Sequence, residues 1–195
     1  MEKLPRSFYS RDAETVAKEL LGQIFITRLP QGETRGLIVE TEAYLGREDK
    51  AAHSFGGKKT QRNEVLYGPA GHAYIYLIYG LYHLFNIVVG EPGDPQAVLI
   101  RALEPLAGFE IMAKRRKTEQ KKLLTSGPGR LSEAMGITRQ LNGENLLGEP
   151  LFIAKGTDEP REIIAKPRIG IDYAQEWVDK PLRFYLANNS FISKP

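Results

Sequence analysis

The sequence predicts a single domain of mixed α/β (α+β) class, and three observations lead to this prediction. The chain has 195 residues, which falls within the roughly 100–200 residues of a typical domain. Two segments, 23–45 and 73–89, have the alternating pattern and central turn residues of β-hairpins, and helical patterns lie around them. No internal repeat, low-complexity tract or linker interrupts the chain, so we treat residues 1–195 as one domain.

The first elements are a helix and a hairpin. A helix is predicted over about 11–21, with Ser10 as its N-cap and Gly22 ending it. Residues 23–29 and 36–45 then form two strands joined by a turn.

The second of these strands carries an unusual face. Its alternation places Ile38, Glu40, Glu42 and Tyr44 on the same side. A carboxylate beside apolar groups is unfavourable unless water or a cation compensates it. On pattern alone, a solvated strand face is the simpler interpretation, and a buried acid with a cationic partner is the alternative.

Residues 46–72 predict a long loop rich in glycine and lysine, which in a compact domain is functional or partly helical. One of only three histidines, His53, lies in this loop. Its position alone does not distinguish an active group from a bystander.

The hairpin over 73–89 is dense in tyrosine. A two-residue turn, Gly80-Leu81, with glycine at its first position predicts a type II′ connection. Tyr79 and Tyr82 would then flank the tip, where exposed rings can insert between stacked bases or bind a protein partner.

The predicted turn decides which side chains lie on each face of the hairpin. It places Asn86 on the side of Tyr79, and Tyr76 on the other. A flat ladder therefore cannot bring both residues to one pocket, and a bulge or a curled sheet would be required.

The later elements are predicted in less detail. A strand over 96–105 ends at Pro105 and carries Arg101 among apolar neighbours, for which Glu42 is the candidate partner. A Gly-Pro-Gly-Arg turn precedes a helix within 125–137 and could accept a phosphate or be a plain turn. We further predict a helix over 106–117, strands at 151–155, 169–171 and 182–187, and Trp177 as a core or edge residue.

Composition restricts the class of protein. The chain has no cysteine, which excludes disulfides and thiolate zinc sites. Three scattered histidines predict no metal site, and no cofactor is expected. No apolar run has the length of a signal peptide or a membrane span, so we expect a soluble, cytoplasmic protein. A monomer is the default expectation. Net charge is only +3, but two basic groups could contact a polyanion: Lys58, Lys59 and Arg62, and Lys114, Arg115, Arg116, Lys117, Lys121 and Lys122.

Several motifs occur together in the order and spacing of a known family. VETEAYLG, AAHS, YIYLIYGLYHLFNI, LIRALEP, SGPGRL and RIGIDYAQEW followed by KPLRFY resemble the alkyladenine type of DNA-3-methyladenine glycosylase. The resemblance runs from about residue 6 to 187. It implies a curved, mainly antiparallel sheet flanked by helices, with a protruding β-hairpin that enters the DNA minor groove.

The resemblance also implies roles for individual residues. Glu42 matches the general base that activates a water, and Arg101 and the main-chain carbonyl of Ile169 match the groups that hold this water. Tyr79 matches the side chain that intercalates into the gap left by the extruded nucleotide. Four further residues match the pocket for the base: Tyr44 on one face, His53 and Tyr76 on the other, and Asn86, which disfavours guanine.

The implied activity is base-excision repair. Such an enzyme binds double-stranded DNA containing damaged purines, flips an alkylated or deaminated purine out of the helix, and hydrolyses its N-glycosidic bond to leave an abasic site. A bacterial-type member would be associated with the nucleoid through DNA. The alternatives are a non-catalytic minor-groove or RNA-binding module and a hydrolase of free nucleosides.

Overall fold

An eight-stranded antiparallel sheet forms the framework of the protein. The computed structural model describes residues 1–156 and 161–194. The strands are β1 (Ile24–Leu29), β2 (Gly32–Tyr44), β3 (Ala73–Ile78), β4 (Tyr82–Val89), β5 (Gln96–Ala107), β6 (Leu151–Ala154), β7 (Ile163–Lys166) and β8 (Arg183–Leu186). They are ordered β3-β4-β5-β2-β1-β6, and β8 pairs with both β2 and β7.

Strand β2 is the centre of this sheet and curls it. Along one side β2 pairs with β5, and along the other it pairs first with β1 and then, at Glu40 to Glu42, with β8. The pairing with β5 shifts register on both sides of Glu40. Register shifts of this kind bend a strand and increase its twist. The predicted fold class, a single α+β domain with a curved antiparallel sheet, is confirmed.

The described residues include five short α-helices. Helix α2 (Ala13–Leu20) lies on β2 and β5, and α5 (Pro128–Met135) lies on β4 and β5. Asp12, not the predicted Ser10, is the N-cap of α2, because the Asp12 carboxylate accepts a hydrogen bond from the Thr15 amide. The helices are α1 (Arg6–Tyr9), α2 (Ala13–Leu20), α3 (Phe109–Arg116), α4 (Lys121–Thr125) and α5 (Pro128–Met135); no described helix is long and apolar enough to cross a membrane.

Some predicted boundaries in the second half are wrong. Strand β5 continues through Pro105, which pairs with Gly36 on β2. Proline is tolerated there because β4 pairs only with Gln96 to Leu99, so Pro105 has no neighbouring strand on its other side. Residues 169–171 are not a strand, and β7 was not predicted. Trp177 is buried, as predicted for a core residue.

The turn of the tyrosine hairpin also differs from the prediction by one residue. Tyr79 and Gly80 have φ angles of 52° and 68°, and the Leu81 amide donates to the Ile78 carbonyl. Positive φ at both central residues is typical of a type I′ turn centred on Tyr79-Gly80, not of a type II′ turn on Gly80-Leu81.

The pairing of the two strands also decides which side chains share a face of the hairpin. Tyr76 pairs with Leu84 and Tyr74 pairs with Asn86. Directly paired residues project to the same face of a sheet. Tyr76 and Asn86 therefore lie on one side. The ladder pairs Ile78 with Tyr82, so the connection holds three residues, 79–81, where the prediction had two, and this one-residue change in the pairing exchanges the faces of one strand relative to the other.

Candidate functional site

A cleft of about 890 Å³ opens between the tyrosine hairpin, the ends of β2 and β5, and the loops around residues 53 and 169. A volume of this size is in the range of small-molecule sites, about 300–1,000 Å³. The predicted site residues on its wall are Tyr44, His53, Tyr76, Tyr79, Asn86, Arg101 and Ile169.

Glu40 and Glu42 are both fully buried beside this cleft. The interpretation of a solvated strand face is therefore wrong. Arg101 projects from β5 toward both acids: its Nη1 atom is 3.2 Å from Glu42 Oε1, and its Nε donates to Glu40 Oε1 at 3.1 Å. The expected Arg101–Glu42 pair thus forms, and Glu40 is a second partner that the sequence did not indicate.

Three donors surround the Glu42 carboxylate. Besides Arg101, the Tyr44 hydroxyl donates to Oε2 at 2.9 Å, and the Ile169 amide donates to Oε1 at 2.8 Å. Ile169 thus contacts the acid through its N–H group. A carboxylate has about four acceptor positions, so these three groups do not use all of them.

The charges of Glu40 and Glu42 also affect the pKa of Arg101. Burial alone would lower the pKa of Arg101, but the carboxylates of Glu42 and Glu40 outweigh this effect and raise the pKa above its ordinary value. A permanently charged guanidinium is therefore fixed beside Glu42.

The aromatic residues of the cleft are held by one another. The rings of His53 and Tyr76 lie 4.5 Å apart in an edge-on arrangement. His53 Nδ1 is 2.8 Å from the Tyr74 hydroxyl, and burial raises the pKa of Tyr74 to about 12, so this phenol is neutral.

His53 is exposed on one side and packed on the other. Desolvation by the packed side lowers the pKa of His53, and the positive charge of Arg62 lowers it further. The imidazole is therefore neutral at pH 7, since the unperturbed value of about 6.5 is already below that pH.

Asn86 and Tyr79 occupy contrasting positions. Asn86 is buried in the wall, where its side-chain amide donates to the carbonyls of Tyr74 and Leu84 at 3.2 and 3.4 Å. Tyr79 projects from the hairpin tip with 86% of its surface exposed, and Leu81 beside it is 74% exposed. Two large apolar side chains in water at one tip are typical of a contact surface.

A buried ion pair behind Tyr44 was missed by the sequence reasoning. Arg168 donates to both carboxylate oxygens of Asp49 at 2.5 and 2.8 Å, and neither side chain is exposed. The guanidinium carbon of Arg168 lies 4.7 Å from the centre of the Tyr44 ring, so the pair supports this ring. No spacing in the sequence relates positions 49 and 168, which are 119 residues apart.

The two basic groups differ in structure. Lys58, Lys59 and Arg62 are exposed, and Arg62 lines the cleft. In the second group, Arg116 is paired with Glu133 and Arg115 donates to the Ala134 carbonyl. The lysines of the second group are exposed.

Within the described ranges, no cluster of three potential metal-ligating side chains occurs.

Comparison with known proteins identifies the family. A family described as methylpurine-DNA glycosylase matches residues 7–190. A relative from Desulfitobacterium hafniense (strain Y51) is 47% identical over 201 residues, covering 99% of each chain. One from Clostridium acetobutylicum is 49% identical over 199 residues, covering 98% of this chain and 97% of the relative. One from Bacillus mycoides (strain KBAB4) is 49% identical over 201 residues, covering 97% and 98%. All three are provisionally named 3-methyladenine DNA glycosylase. The chain belongs to the methylpurine-DNA glycosylase family.

Proposed function

We propose that this protein is a DNA glycosylase that removes damaged purines, such as 3-methyladenine, from double-stranded DNA. Residues 1–195 act as one domain and as a monomer on the bacterial nucleoid. The observation that carries the proposal is the position of Glu42, a buried acid beside an aromatic cleft that opens next to an exposed tyrosine tip.

The target nucleotide must leave the helix before it can react. Its C1′ atom is inaccessible inside a duplex, and extrusion costs a few kcal/mol, least at damaged or mismatched pairs. Tyr79 enters the minor groove and fills the gap, as apolar wedges do in minor-groove proteins. Its 86% exposure supports this role, because a wedge must be free to enter the DNA.

The flipped base is held between rings. Tyr44 covers one face, and His53 and Tyr76 cover the other. An alkylated purine with a positive charge gains about 0.5–2 kcal/mol from an aromatic face. A neutral His53 supports this selectivity, since a charged imidazole would repel such a base. Asn86 crowds the exocyclic amine of guanine and disfavours the normal base.

Hydrolysis then needs one activated water. Glu42 accepts a proton from the water, whose oxygen bonds to C1′ while the N-glycosidic bond breaks and its electron pair leaves with the purine. The carboxylate also stabilises the oxocarbenium-like sugar. Arg101 and the main-chain carbonyl of Ile169 orient the water.

Base release from defined DNA tests the proposal. Duplexes with a single 7-methylguanine, hypoxanthine or ethenoadenine, and DNA methylated to contain 3-methyladenine, are incubated with the protein, and free bases are measured by mass spectrometry. We expect release from at least one lesion and none from undamaged duplex. Tight binding to DNA without release from any of them would favour the non-catalytic module.

The enzyme is further proposed to be monofunctional. A glycosylase that also cuts the strand attacks C1′ with an amine and forms an imine. Among the described residues, the single lysine on the wall of the cleft is Lys194, and the proposed reaction does not use it. Borohydride should therefore trap no covalent complex during turnover. A trapped complex that disappears in Lys194→Met would contradict this.

A further inference from the structure

Glu40 occupies a site that the proposed reaction does not explain. It is fully buried two residues before Glu42 on β2, and its hydrogen bonds join it to Arg101, Arg183 and Ser193. A buried carboxylate is unfavourable without donors. The donors it receives come from β5, from β8 and from the segment that follows β8.

Ser193, in that last segment, contacts the carboxylate twice. Its amide donates to Glu40 Oε2 at 2.6 Å, and its hydroxyl donates to Glu40 Oε1 at 2.9 Å. The same hydroxyl accepts a hydrogen bond from Arg101 Nη2 at 3.3 Å. A serine hydroxyl has one proton to donate and lone pairs to accept, so both contacts can exist at once.

Each nitrogen of the Arg101 guanidinium therefore has a different partner. Nε bonds Glu40, Nη2 bonds Ser193, and Nη1 lies beside Glu42. Because the guanidinium is planar and rigid, fixing two of its nitrogens fixes the direction of the third. The contacts of Nε and Nη2 thus determine how Nη1 of Arg101 faces Glu42.

Arg183 anchors the segment that carries Ser193. Its Nη1 donates to Glu40 Oε1 at 3.0 Å and to the Lys194 carbonyl at 2.7 Å. Its Nε donates to the Pro167 carbonyl at 3.0 Å, two residues before Ile169. The segment after β8 and the loop that carries Ile169 are therefore joined to one buried carboxylate.

We propose that Ser193 is a positioning residue for base excision: its hydroxyl locks Glu40 and Arg101 together, so that Arg101 Nη1 remains on Glu42. The inference rests on the proposed function. It makes the segment after β8 part of the active site, although this segment contributes no group to the chemistry. Loss of the hydroxyl lets the guanidinium rotate and removes orientation of the water, and it leaves the base pocket and the hairpin tip unchanged.

The test separates binding from chemistry. Wild type, Ser193→Ala and Ser193→Thr are compared on the duplex that the wild type processes fastest. The single-turnover rate of base release is measured with enzyme in excess. The dissociation constant is measured on a duplex whose lesion carries 2′-fluorine, which resists hydrolysis because fluorine destabilises the oxocarbenium-like state. Ser190→Ala is the matched control, since Ser190 lies in the same segment and is exposed.

We expect Ser193→Ala to lower the rate about tenfold or more, because small misplacements at a reacting centre reduce rates up to about a hundredfold. The dissociation constant should stay within about twofold, since no contact to DNA is lost. Ser193→Thr, which keeps the hydroxyl, should recover most of the rate, and Ser190→Ala should match the wild type.

Two results overturn the inference. One is a Ser193→Ala enzyme that releases base at the wild-type rate. The other is a parallel loss of rate and binding that Ser193→Thr does not recover, which would indicate a role in folding alone. A wild-type enzyme that releases no base refutes the proposed function and the inference with it, whereas an active wild type with an unaffected Ser193→Ala refutes the inference alone.

Discussion

The buried Asp49–Arg168 pair predicts a large loss of stability on a nearly isosteric change, Asp49→Asn. The aspartate accepts both Arg168 donors, the Leu45 amide at 3.0 Å and the Ala51 amide at 2.9 Å. Asparagine replaces one carboxylate oxygen by an NH₂ group. That group would face donors, and the positive charge of Arg168 would remain buried without its counter-ion.

The magnitude follows from the burial of both partners. Neither side chain is exposed, so solvent screens the pair weakly, and removal of one partner of a buried pair costs about 3–5 kcal/mol. For a domain of this size, 1 kcal/mol corresponds to about 2–4 °C in Tm. We therefore expect Tm to fall by about 6–20 °C.

Urea unfolding measures this loss directly. The chain has one tryptophan, Trp177, which is 8% exposed, so its emission reports unfolding. Asp179→Asn is the control: Asp179 is exposed, and such surface changes stay within about 0.5 kcal/mol. If Asp49→Asn loses less than about 1 kcal/mol, a typical value for an exposed pair, the argument from burial is refuted.

Two further predictions concern single side chains at the cleft. Tyr79→Ala should weaken capture of lesions in duplex DNA far more than reaction on single strands, because only the duplex has a gap to be filled. Tyr79→Phe, which keeps the ring, is the control. Equal effects of Tyr79→Ala on both substrates, or loss of duplex activity in Tyr79→Phe, would contradict the wedge role. His53 should titrate below the ordinary histidine value of about 6.5 in an NMR titration, and Arg62→Gln should raise its pKa. Because the pKa of His53 is lower in the folded chain, the unfolded chain binds more protons just below pH 6.5. Stability therefore falls as pH falls through that window. A measured pKa of His53 at or above 6.5 would contradict the lowered pKa and this loss of stability.

Local patterns in the sequence predicted much of the fold. Alternation and turn residues located the β1–β2 hairpin, β4 and β8, since these signals depend on neighbouring residues. The hairpin turn was misplaced by one residue because Tyr79 adopts a positive φ, which is uncommon for a side chain with a Cβ atom. The reach of β5 past Pro105 depends on where β4 stops pairing, and a local pattern does not contain that information.

The site was predicted in part, for a similar reason. The resemblance supplied Glu42, Arg101 and the aromatic residues; the structure places Arg101 and the aromatic residues on one cleft and buries Glu42 beside it. Glu40 and Ser193 were not predicted. Their contact joins positions 153 residues apart, and serine in a polar segment gives no signal of burial or function. Such contacts exist only after the sheet has curled and the segment after β8 has returned to β2.

The most direct test of the central claim compares Glu42→Gln with the wild type. Arg101 keeps its bond to Glu40 in this variant, so its charge is not left without a partner, and unfolding in urea checks that the variant is folded. The measurement is the ratio of base release to binding on the same lesion duplex, with release under single turnover and binding on the 2′-fluorinated analogue. We predict binding within a few-fold of the wild type, and release reduced by about 10²–10⁴, the usual contribution of a general base. Release by Glu42→Gln at a rate close to that of the wild type would show that Glu42 does not activate the water, and a parallel loss of binding and release would assign Glu42 to folding.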